Sequence, residues 1–263
     1  MPKAPSESDK AKSQRPLRAY AVCENDERTG AIYFARYAIV ARRMGANEYG
    51  DGELAYVTCT RAPWADRFAD TQDVPASVMV MNGWHFECCE CGRRIDEDMP
   101  SLWENEVNQG EPLNGANLRY ARWKPSHVIG TQHSMVFCRA SCEAEFQREQ
   151  AEKKRVGDRA IARFERIILR RFPDAEIQRH DHHRPHVYVT RDPEYRLIVE
   201  QVAVSFSFPG QVIAPATLRM DTTTDWKPGG KQVRRRRKPY YWICNGDREA
   251  FDAYAASTKR VLA

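Results

Sequence analysis

Two cysteine pairs constrain this chain more than any other feature: Cys88-x2-Cys91 and Cys138-x3-Cys142, with 46 residues between Cys91 and Cys138. Two close thiol pairs at these spacings suit four-sulfur coordination of zinc. Gly92, directly after the second cysteine, suits a tight knuckle whose backbone N–H groups face the sulfurs. The second pair opens a helical pattern, so both of its sulfurs would lie on one helical face. The spacing predicts one structural zinc ion held by Cys88, Cys91, Cys138 and Cys142, with buried free thiols as the alternative. Four protein ligands leave no open coordination position, so such an ion would hold structure and would not activate water. Cys89 could compete for the metal, but the two-residue spacing and Gly92 favour Cys88. Cys23, Cys59 and Cys244 lie in strand-like or aromatic contexts and read as core thiols.

The stretch from Trp84 to Phe146 resembles the treble-clef class of zinc fingers, and Phe137-Cys138-x3-Cys142-x3-Phe146 resembles the helix-opening half of TRASH-type and MYM-type fingers. The likeness spans roughly two dozen residues. It implies a zinc module over 84–146, longer than a minimal finger, with an insertion at 96–127 folding out between the halves. The context from Trp84 to Cys91 also resembles uncharacterised proteins of phages and prophages, which assigns no activity.

A chain of 263 residues with 42% hydrophobic content can bury a real core, and its size allows one large or two modest domains. No run approaches the roughly 18 apolar residues of a membrane span. Eight cysteines are too sparse for a disulfide scaffold and no apolar signal core follows the polar N-terminus, so a cytoplasmic, reducing setting is expected. The net charge of +5 identifies no partner by itself.

The pattern predicts an α+β chain. Residues 1–16 read as a disordered tail and 17–83 as an N-terminal α+β segment. In it Arg18 to Cys23 reads as a strand, Ile32 to Met44 as an amphipathic helix and Leu54 to Thr60 as a strand, with a helix start at Pro63. Asn82-Gly83 reads as a turn folding the apolar run Val74 to Met81 back beside the metal. Trp84 and Phe86 would floor the zinc module. A long basic amphipathic helix is expected over 141–172, and an α+β domain over 173–263, mostly β and closed by a helix from Arg248 to Thr258.

Charge distribution carries the functional reading. At 100° per residue Arg155, Arg159, Arg163, Arg166 and Arg170 fall within about 80° of the long helix, beside a core face of Val156, Ala160, Phe164, Ile167 and Ile168. The bland alternative is a solvated face paired to Glu152 and Glu165. Lys227 to Lys238 holds seven cations and no acid, which predicts an exposed loop whose Arg234, Arg235, Arg236, Arg237 and Lys238 contact phosphates, or else a merely solvated hairpin tip. Aromatics on either side, Trp226 and Tyr240 to Trp242, could stack on bases. Arg119, Tyr120, Arg122 and Trp123 suggest a further contact surface or a strand edge with snorkelling arginines.

With no Walker loop, dinucleotide fingerprint, nucleophile elbow or His-Glu-x2-His, the reading is a zinc-stabilised, non-catalytic protein that binds nucleic acid or a nucleoprotein assembly. No membrane partner or small-molecule substrate is expected. One alternative is a metal-dependent nuclease using Asp174 and Glu200 with His180 or His182, although Glu200-Gln201-Val202 lacks the lysine of a Glu-x-Lys motif. Another is an adaptor for a host protein. The run His180 to His186 could bind a second metal or simply form a surface loop.

Overall fold

The computed structural model describes residues 15–26, 29–99, 123–180, 182–192, 194–227 and 231–261, with backbone alone at 224–227, 231–234, 236 and 259–261. Most of the expected tail, and Arg119, Tyr120 and Arg122 of the insertion, lie outside these residues. The chain is α+β and divides into two compact units, Met1–Phe146 and Gln147–Ala263.

The first unit is built on an antiparallel sheet in the order β2-β1-β3, formed by β1 (Arg18–Glu24), β2 (Gly30–Ala35) and β3 (Val57–Arg61). Helix α1 (Ala38–Tyr49) packs on one face over Tyr20, Val22, Tyr33 and Val57. The other face, with Ala19, Ile32 and Phe34, packs against Ala65, Val74, Val78 and Met79. The amphipathic helix expected from Ile32 to Met44 is therefore wrong in its first part, which is β2. A strand covered on both faces loses the apolar–polar alternation, so Ala31 to Ala35 reads as a continuous apolar run. The true helix buries only small residues, Ala41, Gly45 and Ala46, and leaves Ile39, Val40 and Met44 exposed.

A second correction concerns Val74 to Met81. The run contains a short helix, α2 (Ala76–Val80), and Asn82-Gly83 ends that helix where a hairpin turn was expected. The Asn82 side chain donates to the Val78 carbonyl, satisfying an acceptor that the helix end would leave open.

In the second unit, helix α3 begins ahead of the unit and runs Ala140–Arg171. An antiparallel sheet follows: β6 (Glu176–Ile177), β7 (His186–Arg191), β8 (Leu197–Ser207), β9 (Ala216–Lys227), β10 (Lys231–Arg236) and β11 (Tyr240–Trp242), before α4 (Arg248–Val261). One edge of β8 carries β6 and β7, its other edge β9, and β9 carries β10 and β11 in succession on its far edge. Both helices pack on one sheet face. Phe164, Ile168 and Phe172 from α3 meet Val202, Val204, Phe206, Leu218 and Met220 from the strands and Phe251 and Tyr254 from α4. Phe172 is fully buried, its ring 5.5 Å from Phe206 and 5.2 Å from Tyr254.

The buried line of α3 is turned from the expected one. Ile167 is 36% exposed, while Ile161 joins the core. Gly157 explains the turn: a Cβ there would lie 2.7 Å from Val187 Cγ1, so the helix approaches β7 along the row Gly157, Ile161, Phe164, Ile168. The cationic stretch is also corrected, since β10 occupies Lys231–Arg236 as an edge strand where a loop was expected. Strand pairing uses only the backbone, so a charged sequence can join an edge without burying its cations.

Candidate metal centre and a cationic cleft

The first cysteine pair sits on a hairpin of β4 (Phe86–Glu87) and β5 (Arg94–Ile95). Cys88 N–H donates to the Arg93 carbonyl and Gly92 N–H to the Cys88 carbonyl, closing a tight knuckle. Gly92 has φ +65, a left-handed conformation that side chains disfavour, which is why glycine follows Cys91. The second pair straddles the start of α3. Cys142 N–H and Glu143 N–H both donate to the Arg139 carbonyl, forming the first helical turn and turning Cys142 towards Cys138.

These elements bring the four sulfurs of Cys88, Cys91, Cys138 and Cys142 within 4.8 Å of one another. Cys91 Sγ is 3.8 Å from Cys138 Sγ, which in turn is 3.5 Å from Cys142 Sγ. Four sulfurs each about 2.3 Å from a central ion would be separated by about 3.8 Å, so the quartet fits tetrahedral coordination. The residues could hold a metal ion, and its role there would be structural. Cys88, Cys138 and Cys142 are buried and Cys91 is exposed, while Cys89 is exposed and stands outside the quartet.

The polar surroundings favour a thiolate at Cys88 alone. Burial pushes the Cys88 thiol up, but the backbone N–H groups of Cys91, Cys138 and Glu90 outweigh it and bring the thiol down to about 7. Burial raises Cys91 to about 11, with Cys88 beside it adding to the shift, and burial followed by Cys142 raises Cys138 further. Four crowded sulfurs cannot all ionise without a cation among them.

A small apolar shell surrounds the site: Val80, Ile95, Met99, Val128, Val136 and Phe137. Trp123 belongs to it as well. Its Nε1–H donates to the Cys138 carbonyl at 2.8 Å and its side chain is buried, so Trp123 supports the cysteines and is withdrawn from the contact surface expected of it. Trp84 packs instead on the N-terminal sheet's cluster, and Phe86 joins both clusters.

The second unit places the two expected basic features at one cleft. Its volume is about 410 Å³. Arg159 and Arg163 of α3 stand on one side, and Arg237 and Lys238, between β10 and β11, on the other. Phe164, Ile167, Val199, Met220 and Pro239 complete an apolar lining, and no carboxylate is among the lining residues. Arg237 N–H donates to the Asp221 carbonyl, which fixes the connection against β9.

Arg155, Arg159, Arg163, Arg166 and Arg170 are all exposed, and none has an ion pair among the described residues. Glu152 and Glu165, which were to neutralise them, pair with Arg191 and Arg179 instead. Arg166 and Arg170 are not among the lining residues of the cleft. Arg235 is exposed, and the side chains of Arg234 and Arg236 lie outside the described residues. Charge also divides unevenly along the sequence: residues 147–263 hold 24 Lys and Arg against 15 Asp and Glu, a net +9, whereas 1–146 hold 17 against 21, a net −4.

Glu200 accepts a hydrogen bond from Thr190 Oγ1, while His180, His182, His183 and His186 are exposed. Among the described residues the cysteine quartet is the one group of three or more His, Cys, Asp or Glu side chains gathered closely enough to hold a metal. Also among them, no helix is long and apolar enough to cross a membrane. No protein-family model, curated protein or solved structure matches this chain, so its functional reading rests on the chemistry of the quartet and the cleft.

Proposed function

We propose that the protein is a zinc-stabilised, non-catalytic nucleic-acid-binding protein. An all-sulfur tetrahedral set suits zinc, and a hairpin knuckle followed by a helix-borne second pair is the arrangement the treble-clef and TRASH or MYM resemblance implies. The observation that carries the binding reading is the convergence of Arg159, Arg163, Arg237 and Lys238 on one cleft without a carboxylate, in the half of the chain whose net charge is +9. Asp221 lies near enough to act on Arg237, but no carboxylate lines the cleft, so its cations repel one another, and a polyanion relieves that repulsion while releasing its own counterions.

The test combines elemental analysis of the purified protein with a salt titration of oligonucleotide binding. One zinc per chain and a log–log slope of about −4 to −6 are the expected results, corresponding to five to seven phosphate contacts. Absence of oligonucleotide binding at low salt would sink the reading.

A further inference from the structure

Among the described residues, α3 and α4 pack on one and the same face of the second unit's sheet. Strand alternation puts Tyr241, Leu218, Val204 and Val202 on the helix-covered face, where they join the core. The same alternation sets Tyr240 and Trp242 of β11, Arg219 of β9, Ala203 and Ser205 of β8 and Tyr188 of β7 on the opposite face. Three aromatics stand open there: Tyr188 is 61% exposed, Trp242 52% and Tyr240 37%. Large aromatics at this exposure leave apolar ring faces that a flat ligand could cover.

We infer that this open face is a stacking platform for the unpaired bases of a single-stranded nucleic acid, an inference that rests on the nucleic-acid-binding reading above. The aromatics lie on a diagonal across the sheet. Tyr188 is level with Gln201 and Asp221, Tyr240 with Ala203 and Arg219, and Trp242 with Ser205 and Thr217. Between the outer strands stand only the small side chains of Ala203, Ser205 and Thr217, the first two buried, so the rings rise above a low floor about 14 Å wide, three strand spacings. Flat rings over a shallow floor suit bases, whose faces are apolar and whose edges remain wet, and stacking of this kind tolerates any base.

Two details orient the platform. Tyr240 O–H donates to Asp221 Oδ2 at 2.6 Å, and Arg219 Nε donates to the other carboxylate oxygen at 3.1 Å, so Asp221 pins the ring and partly neutralises itself. The cations lie at the adjoining edge. Arg235 pairs with Thr223 on the same face, and Arg237 and Lys238, which line the cleft on the helix-covered side, lead through Pro239 into β11 at the shared edge. A strand whose bases rest on the rings would carry its phosphates past that edge. A duplex, with its bases already stacked inside, has nothing to offer the rings.

The experiment measures binding of the full chain to a fluorescent oligo(dT) or oligo(U) and to a duplex of equal length. Tyr188→Ala and Trp242→Ala are each expected to weaken single-strand binding about 10-fold, with duplex binding and the salt slope unchanged. Tyr188→Phe and Trp242→Phe should restore most of the affinity. Single-strand affinity unmoved by either alanine variant, with the wild-type salt slope intact, overturns the platform and leaves the proposed function standing. A face that captures a protein gives that same result. A wild-type chain that binds no oligonucleotide overturns both.

Discussion

The side chain of Gln132 hydrogen-bonds both backbone groups of Ile32, 100 residues away in sequence: Ile32 N–H donates to Gln132 Oε1 at 2.9 Å, and Gln132 Nε2 donates to the Ile32 carbonyl at 3.1 Å. A side-chain amide thus takes the place of a neighbouring strand at the free edge of β2. Gln132 lies six residues before Cys138, so the bond ties the approach to the second cysteine pair onto the N-terminal sheet.

Gln132→Ala leaves a buried donor and acceptor without partners, at a cost of about 2 kcal/mol. Gln132→Glu restores the acceptor but sets an oxygen against the Ile32 carbonyl. Hydrogen exchange at the Ile32 amide is the direct readout: protection should be lost in Gln132→Ala and kept in larger part in Gln132→Glu, whose penalty shows instead as a lower melting temperature.

Cys138→Ser should abolish stoichiometric metal in the purified protein. Structural zinc is worth on the order of 10–16 kcal/mol apparent in small modules, as much as an ordinary domain's whole stability. The expected outcome is therefore loss of near-UV ellipticity and of protease resistance in the first unit, beyond a modest drop in melting temperature. Chelation of the wild type should reproduce it, and Cys89→Ser should not.

Asp247 is buried and accepts N–H bonds from Val212, Ile213 and Ala214. The Ala214 N–H, working against burial and together with Val212 and Ile213, holds the carboxyl below its usual range. A depressed folded value means that the carboxylate's stabilisation is complete above the unfolded value of about 3.9 and is lost as pH falls through the folded one. Asp247→Asn should lower the melting temperature at pH 7, and the gap from wild type should narrow below about pH 4. A gap independent of pH would count against the charge.

Arg159→Ala combined with Arg163→Ala removes two cations from the cleft while leaving exposed helix positions that alanine favours. The log–log salt slope of oligonucleotide binding should flatten by about 1.5, with the melting temperature unchanged or slightly raised. A slope identical to wild type would place the phosphate contacts elsewhere.

Local signals made some of this architecture legible. Cysteine spacing and the glycine after Cys91 indicated a tight knuckle, and the uninterrupted periodicity up to Phe172-Pro173 gave the extent of α3. Where neighbours decide, the sequence misled. Ala31 to Ala35 is buried on both faces and so carries no strand alternation, and Lys231 to Arg236 joins a sheet by backbone alone. Trp123 looked like a contact residue because nothing local shows that its indole meets the Cys138 carbonyl. The open aromatic face needed the register of β7, β8, β9 and β11, since Tyr188 and Trp242 are 54 positions apart.

The outer edge of β10 has no partner strand among the described residues, and the sequence there is Lys-Gln-Val-Arg-Arg-Arg. Bare edges of that kind invite another chain to add itself, and like charges laid along one are a common defence against such growth. On the proposed reading, the arginines that would meet a polyanion would also oppose pairing between copies of this molecule. Neutralising them would remove both effects at once, so any variant of Arg234 to Arg237 that fails to bind an oligonucleotide should be checked by light scattering before the failure is credited to missing phosphate contacts.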